Sequence, residues 1–292
     1  MMIVLGPNRY GKAETRLVRV TRHGDAHSLK DLNVSTALSG DMERVHLSGD
    51  NAAVLPTDSQ KNTVFAFAKR YGVGAIEDFA LTLAQHFVDS QEPVRHARVA
   101  IEEYAWERNG ALGHAFVRSG RETRVCVAHY DGSRAWVVSG LRDLVVLNTT
   151  NSEFWGYVRD EYTTLPETRD RVLATAVEAS WRHTAAGEDG DGGDWDKTYE
   201  KARQALLAAF ADTYSLSLQQ TLYAMGSRVL TECPGVCEVR LSLPNRHHFE
   251  VDLSPFGLAN DGEVYHAADR PYGLIEGAVL RDDAPDPGPA WQ

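Results

Sequence analysis

Two pairs of amphipathic segments, each pair flanked by alternating β-type runs, constrain the fold of this chain more than any other sequence feature. Apolar residues at helical spacing predict helices over about 59–71 and 76–88, and again over 195–210 and 218–230. Such stripes are typical of core packing. Two helix pairs at corresponding places in the two halves of the chain therefore indicate an internal repeat.

Strands flank both helix pairs. Alternation of apolar and polar residues predicts strands at 16–22, 96–107, 171–181 and 236–243. We therefore predict an α+β fold of two repeats, residues 1–140 and 141–292, each an antiparallel sheet with paired helices on one face. The sheets would leave open edges unless another subunit pairs with them, so we expect assembly into a closed multimeric barrel.

Two segments have no apolar period. Residues 183–194 are rich in glycine and acidic residues, but they lack the spacing and the closing glutamate of a calcium-binding EF-hand loop. A solvated loop is the prediction there. The tail from about Asp282 is rich in proline, and we expect it to be disordered.

Composition narrows the classes of partner and location. The formal net charge of −11 argues against nucleic acid and implies that a site for an anion must supply its own positive groups. No apolar run reaches the length of a membrane span. Three cysteines without zinc-ligand spacing favour reduced thiols in a cytoplasmic protein.

Five segments contain residues suited to chemistry, and each also has a structural interpretation. They are RYGK at 9–12, LPTDSQKNTVFAFAK at 55–69, NSEFWGYVRDEYTTLPETRDR at 151–171, YSLSLQQTLYAMG at 214–226 and LPNRHHFEVDLS at 243–254. Lys12 could be an exposed lysine at a strand start. Thr57 or Asp58 could cap a helix, although a helix N-terminus also binds anions.

Together, in this order and over nearly the whole chain, the five segments resemble the urate oxidase (uricase) family. The resemblance implies a tandem tunnelling fold and a homotetramer with active sites at its subunit interfaces. It also implies oxidation of urate by O₂ and water to 5-hydroxyisourate and hydrogen peroxide, without a metal or organic cofactor. The chain ends in Ala290-Trp291-Gln292 and not in a peroxisomal signal, which favours a bacterial-type cytoplasmic enzyme.

The resemblance also assigns roles to individual residues. It implies a catalytic relay of Lys12, Thr57 and His247. It implies contacts to urate or oxygen from a second set: Asp58, Phe154, Leu165, Arg171, Leu218, Gln219 and Asn245. Asp58 and Leu218 would contribute backbone N–H groups, Leu165 a pocket wall, and Asn245 an amide that holds oxygen or water above the ring.

These residue types suit a flat anion that reacts with oxygen. Arg171 offers a planar fork, Gln219 a donor beside an acceptor, and Phe154 a flat apolar face. A lysine acts as a base once its surroundings disfavour its charge, and a histidine shuttles protons near neutral pH. An electron-rich urate dianion can itself reduce oxygen, so the chemistry needs no metal.

Two alternatives remain open. A zinc-dependent tunnelling-fold enzyme acting on pterins or GTP would need clustered histidines, and the candidates are the spaced pair His23 and His27 and the adjacent pair His247 and His248. A non-catalytic purine-binding protein on the same fold would be expected to lack Lys12 or Thr57, and both are present.

Overall fold

The computed structural model describes residues 1–120, 122–184 and 194–292. The strands are β1 (Thr15–His23), β2 (Ala26–Gly40), β3 (Val94–Tyr104), β4 (Trp106–Arg108), β5 (Phe116–Arg118), β6 (Thr123–Tyr130), β7 (Ala135–Asn148), β8 (Leu173–His183), β9 (Val236–Pro244), β10 (His247–Glu250), β11 (Tyr265–Ala268) and β12 (Leu274–Leu280). The helices are α1 (Glu43–Ser48), α2 (Thr57–Arg70), α3 (Ile76–Ser90), α4 (Trp195–Asp212) and α5 (Leu218–Glu232), with a 3₁₀ turn at Ser254–Phe256.

The described residues form two compact units. The first contains residues 1–140, 182–196 and 285–292, and the second contains residues 141–181 and 197–284. Strand β7 passes through the boundary, which lies between Gly140 and Leu141.

In the first unit the strands follow the order β1, β2, β3, β6 and the first half of β7. The pairs β1–β2, β2–β3 and β3–β6 are all antiparallel, with Leu17 opposite Leu32 and Val34 opposite Ile101. Helix α3 packs on β3 and β6 through a stripe at helical spacing that includes Phe79, Leu83 and Phe87. One face of this sheet is thereby buried.

The second unit repeats this plan with the second half of β7, then β8, β9 and β12. Helix α5 packs on β9 and β12 and buries Leu222, Met225 and Val229. At Gly226 a Cβ atom would lie 2.6 Å from a methyl group of Val279, so this close approach of helix and strand requires glycine. A separate apolar core fills each unit.

The α+β class, the antiparallel sheets and the two helix pairs are confirmed. All four predicted helices are present. Helices α3, α4 and α5 begin where predicted and end two residues later, whereas α2 begins two residues and ends one residue earlier than predicted. No predicted run covers the short helix α1 or the strands β2, β5, β6, β7, β10, β11 and β12, of which β2 and β7 are the longest. The predicted 183–194 loop begins too early, because His183 still belongs to β8, and residues 185–193 lie outside the described residues.

The prediction of a disordered tail from Asp282 is wrong for its last residues. Residues 285–292 belong to the first unit, where Ala290 is buried. The Arg98 guanidinium donates to a main-chain oxygen of Gln292 at 2.9 Å, and Gly288 lies against the indole of Trp136. Contacts with residues distant in sequence therefore order a segment that has no helix or strand propensity of its own.

Candidate active site

Lys12 lies on a short extended segment that runs beside β2. Its backbone oxygen accepts the N–H of Thr36 at 2.9 Å, and its backbone N–H donates to the Thr36 hydroxyl at 3.3 Å. The preceding Gly11 is required here, because a Cβ atom would lie 1.8 Å from the Thr36 carbonyl oxygen. The backbone of Lys12 is thus fixed against the sheet, while its half-buried side chain extends from it.

Thr57 and Asp58 form the first turn of α2. Pro56 occupies the N-cap position, so the expectation that Thr57 or Asp58 would cap this helix is wrong. A proline ring cannot accept a hydrogen bond, and the first intrahelical bond runs from the Gln60 N–H to the Pro56 oxygen. The N–H groups of Thr57, Asp58 and Ser59 precede that bond and have no acceptor within the helix, which suits an anion.

The carboxylate of Asp58 is turned toward its own helix. It accepts from the Lys61 ammonium and from the Asn62 amide, and these contacts leave its backbone N–H for other use. The hydrogen bond from Lys61 lowers the pKa of Asp58, and the charges of Lys61 and of Lys12 lower it further. Lys12 therefore lies within electrostatic range of the start of α2.

Arg171 is the cationic group of the second unit. Its Nε donates to the buried Ser152 hydroxyl at 3.1 Å, and its guanidinium carbon lies 5.2 Å from the centre of the Phe154 ring. Burial lowers the pKa of Arg171 from its ordinary value, and the group stays charged near neutral pH. A partly desolvated, oriented guanidinium is a strong donor to an anionic edge.

Phe154 is held by both its main chain and its ring. Its N–H and C=O exchange hydrogen bonds with Thr168 at 2.9 and 3.0 Å. The Tyr157 ring stacks on it at 4.8 Å, and the Tyr157 hydroxyl donates to the Leu165 oxygen. The side chain of Leu165 is 50% exposed. The Tyr157 ring therefore packs against one face of the Phe154 ring and fixes its orientation, as stacking of a planar ligand on Phe154 would require.

Leu218 and Gln219 are the first residues of α5. The Ser217 hydroxyl caps the helix by accepting the Gln220 N–H at 3.1 Å, and the Gln220 side chain accepts the Leu216 N–H at 2.9 Å. This reciprocal cap fixes the helix start and leaves the Gln219 side chain exposed.

Asn245 and His247 follow strand β9. The Asn245 N–H donates to the Gly273 oxygen at 2.8 Å, and Asn245 forms an isolated bridge with Thr175 of β8. The His247 ring stacks on Phe249 at 5.6 Å. Burial lowers the pKa of His247, and the nearby positive charge of Arg171 lowers it further. His247 is therefore neutral near pH 7 and able to accept a proton.

The ten predicted residues fall into two groups, each within one unit. Lys12, Thr57 and Asp58 belong to the first unit, and the other seven belong to the second. In the second unit, Ser152 connects Arg171 to the start of α5, because Ser152 bridges to Ser215 and the Glu153 N–H donates to the Ser215 oxygen at 2.8 Å.

Sequence reasoning missed two residues of this second group. Ser152 orients Arg171, and Tyr157 supports Phe154. Both stand in the run at 151–171, where the further aromatics beside Phe154 were an available signal for Tyr157, while nothing in the sequence showed that Ser152 is buried. Their partners are set by the path of the loop, which residue spacing does not specify.

Three further properties concern the described residues taken together. Across residues 1–120, 122–184 and 194–292, no three histidine, cysteine or carboxylate side chains are grouped as metal ligands. The three cysteines are thiols that take part in no disulfide, and all three are buried. None of the described helices combines the length and the apolar character needed to cross a membrane.

Comparison with known proteins gives a consistent result. A sequence model of the family described as "Uricase" matches residues 8–129 and 137–276. The chain is 48% identical to a uricase of Arthrobacter globiformis over 99% of its own length and 94% of the relative's. It is 37% identical to a uricase of Oryctolagus cuniculus over 93% of each.

Solved structures extend this similarity to the fold. The crystal structure of uricase from Arthrobacter globiformis superposes with a TM-score of 0.94 at 48% identity, over 100% of this chain and 99% of that one. A urate oxidase mutant of Bacillus sp. TB-90 superposes with a TM-score of 0.82 at 25% identity, over 96% of this chain. The predicted tandem tunnelling fold is thereby confirmed, and the chain belongs to the uricase family.

Proposed function

We propose that this chain oxidises urate with O₂ and water to 5-hydroxyisourate and hydrogen peroxide, using no metal or organic cofactor, in the cytoplasm. The observation that carries the proposal is a pair of side chains in the second unit. The partly buried Arg171, oriented by Ser152, lies beside the Phe154 ring, on which Tyr157 stacks. A cationic fork next to a flat apolar face suits a planar purine anion.

Each residue has a role in this proposal. Arg171 and Gln219 bind the edge of urate, Phe154 stacks on the ring, and Leu165 forms a wall. The backbone N–H groups of Asp58 and Leu218 contact the anion, and Asn245 holds oxygen first and the attacking water afterwards. Lys12 takes the Thr57 proton while Thr57 relays one from urate or water, and the neutral His247 completes the relay.

We propose further that the working enzyme is a homotetramer in which the first unit of one subunit and the second unit of another form each site. The 151–171 segment supports the proposal that another subunit covers it, because Val158 is 95% and Tyr162 is 80% exposed in the single chain. Large apolar side chains exposed within one short segment are typical of an interface. Strand β1 also has an unpaired edge among the described strands.

The test is to mix the protein with urate in air and follow the loss of urate absorbance and the formation of peroxide. We expect full activity after exhaustive chelation and dialysis. Activity that is lost with chelator and returns with added zinc, iron or copper would contradict the cofactor-free reaction. Binding of urate without its consumption would instead indicate a purine-binding protein.

A further inference from the structure

Gln60 is a fully buried amide on a helix face that is otherwise apolar. It is 0% exposed, in the helix that also buries Val64, Phe67 and Ala68. A buried amide is costly unless its polar atoms have partners. The Gln60 Oε1 accepts from the Thr36 hydroxyl at 2.7 Å, and its Nε2 donates to the Leu55 oxygen at 3.4 Å.

The same Thr36 hydroxyl reaches the candidate base. Its oxygen accepts the backbone N–H of Lys12 at 3.3 Å, while its proton is directed to Gln60. The backbone oxygen of Lys12 also accepts the Thr36 N–H, so two hydrogen bonds to Thr36 hold the backbone of Lys12 against β2.

The other end of the network reaches the start of α2. The Leu55 oxygen accepts both from Gln60 and from the Tyr10 hydroxyl, the latter at 3.1 Å. Leu55 stands two residues before Thr57, and Tyr10 stands two residues before Lys12. Hydrogen bonds from Lys12 to Thr36, from Thr36 to Gln60 and from Gln60 to Leu55 therefore join the backbone at Lys12 to the backbone just before Thr57. We call this connection the Thr36–Gln60 link.

We propose that Thr36 and Gln60 are positioning residues that set the distance between the Lys12 ammonium and the Thr57 hydroxyl. This inference rests on the proposed function, in which those two groups exchange a proton. Proton transfer requires heavy atoms at hydrogen-bond distance, and a displacement of about 1 Å lowers a rate by about 100-fold. Thr36 and Gln60 are buried, and most of the proposed contacts to urate come from the second unit, so we expect the link to affect turnover more than binding.

The first experiment compares Thr36→Val and Gln60→Leu, which remove the link, with Thr36→Ser, which keeps the hydroxyl. The two disruptive variants should lower kcat by about 10- to 100-fold. The Kd for urate, measured without oxygen so that urate is not consumed, should change by less than about threefold. Thr36→Ser should stay within about threefold of the original kcat.

A matched control uses the same helix. Thr63→Val makes the same threonine-to-valine change on α2, the helix that carries Gln60, but the Thr63 hydroxyl bonds only the Ser59 oxygen of its own helix in the described contacts. It should leave kcat unchanged. Equal losses of kcat in Thr63→Val and Thr36→Val would overturn the inference, because a general loosening of the helix would then suffice.

The double variant Thr36→Val/Gln60→Leu separates positioning from stability. Thr36→Val leaves the Gln60 Oε1 without its donor, and Gln60→Leu leaves the Thr36 hydroxyl without this acceptor. The double change removes donor and acceptor together and should recover part of the lost thermal stability, although the Lys12 N–H still lacks the Thr36 hydroxyl. Turnover should stay low, since the link is still absent. Recovery of kcat together with stability would overturn the inference and show that Gln60 serves packing alone.

A Lys12→Met background tests whether the link acts through Lys12. In that background Thr36→Val should lower kcat no further, although it should lower the melting temperature as before. A further loss of kcat would overturn the positioning role. If the original chain does not consume urate, the proposed function itself fails, and if Lys12→Met keeps full activity, the role proposed for Lys12 fails. If Lys12→Met is inactive while Thr36→Val and Gln60→Leu keep kcat, only this inference fails.

Discussion

Removing the arginine of a buried ion pair in the first unit should destabilise the chain by an amount that depends on pH. Glu77 of α3 is 0% exposed, and the Arg124 guanidinium of β6, 11% exposed, lies 2.8 Å from its carboxylate. The Ser139 hydroxyl donates to the other carboxylate oxygen at 2.7 Å. In Arg124→Met, the buried Glu77 carboxylate keeps the hydrogen bond from Ser139 but loses the positive charge of Arg124.

The structure sets the size of the effect. Removing one partner of a buried pair costs about 3–5 kcal/mol, because the remaining charge is left uncompensated. An exposed pair offers the matched control: Arg95 and Asp41 are 63% and 65% exposed, so Arg95→Met should cost less than about 1 kcal/mol. Adding Glu77→Gln to Arg124→Met removes the buried charge and should recover about 2 kcal/mol.

The sign of the pH dependence follows from Glu77. Burial raises its pKa above the ordinary 4.5, and Arg124 opposes this rise. A raised folded-state pKa contributes stability that is complete below the unfolded value and is lost as the pH rises through the folded value. Without Arg124 the pKa rises further, so the cost of Arg124→Met should be largest at about pH 8 and smaller at about pH 5.5.

The measurement is the free energy of unfolding from urea titrations at both pH values, with the protein concentration held fixed because an oligomer's stability depends on it. A cost below about 1 kcal/mol for Arg124→Met, a cost that grows toward low pH, or no recovery in the double variant would each refute the reasoning.

Two predictions concern the proposed site. Lys12→Met should lower kcat by about 100-fold or more, while the Kd for urate, measured without oxygen, stays within about threefold. Arg171→Ala should raise that Kd by about 10- to 150-fold, because it removes hydrogen bonds from a charged donor. Equal losses of urate affinity in both variants would contradict the assigned roles. Co-expressed Lys12→Met and Arg171→Ala subunits should regain about one quarter of the original activity, since in a mixed pair with two-fold symmetry one site carries both defects and the other carries neither. Mixed oligomers that form and stay inactive would show that each site is built within one chain.

Local periodicity in the sequence determined helices α2 to α5 and four strands of the eight-stranded sheet, β1, β3, β8 and β9. Stripes such as Phe79, Leu83 and Phe87 report a single buried face and do not depend on distant residues. The residue types of the candidate site, a lysine, an arginine and stacking aromatics in recognisable runs, were also visible in the sequence. Similarity to other uricases explains why those runs could be identified.

Tertiary structure alone decided the features that depend on contacts between distant residues. Strand β2 has an irregular polar pattern near Lys30 and Asp31, and its pairing with β1 and β3 makes it a strand. The proline-rich tail is ordered because Arg98 and Trp136, far away in sequence, contact it.

The same reason separates the site's residue types from its supporting contacts. Neither the hydrogen bond from Arg171 to Ser152 nor the one from Thr36 to Gln60 follows from spacing along the chain. Side-chain type is a local property that a sequence states directly. Which two buried polar groups satisfy one another depends on how the backbone brings them together, and only the folded chain specifies that.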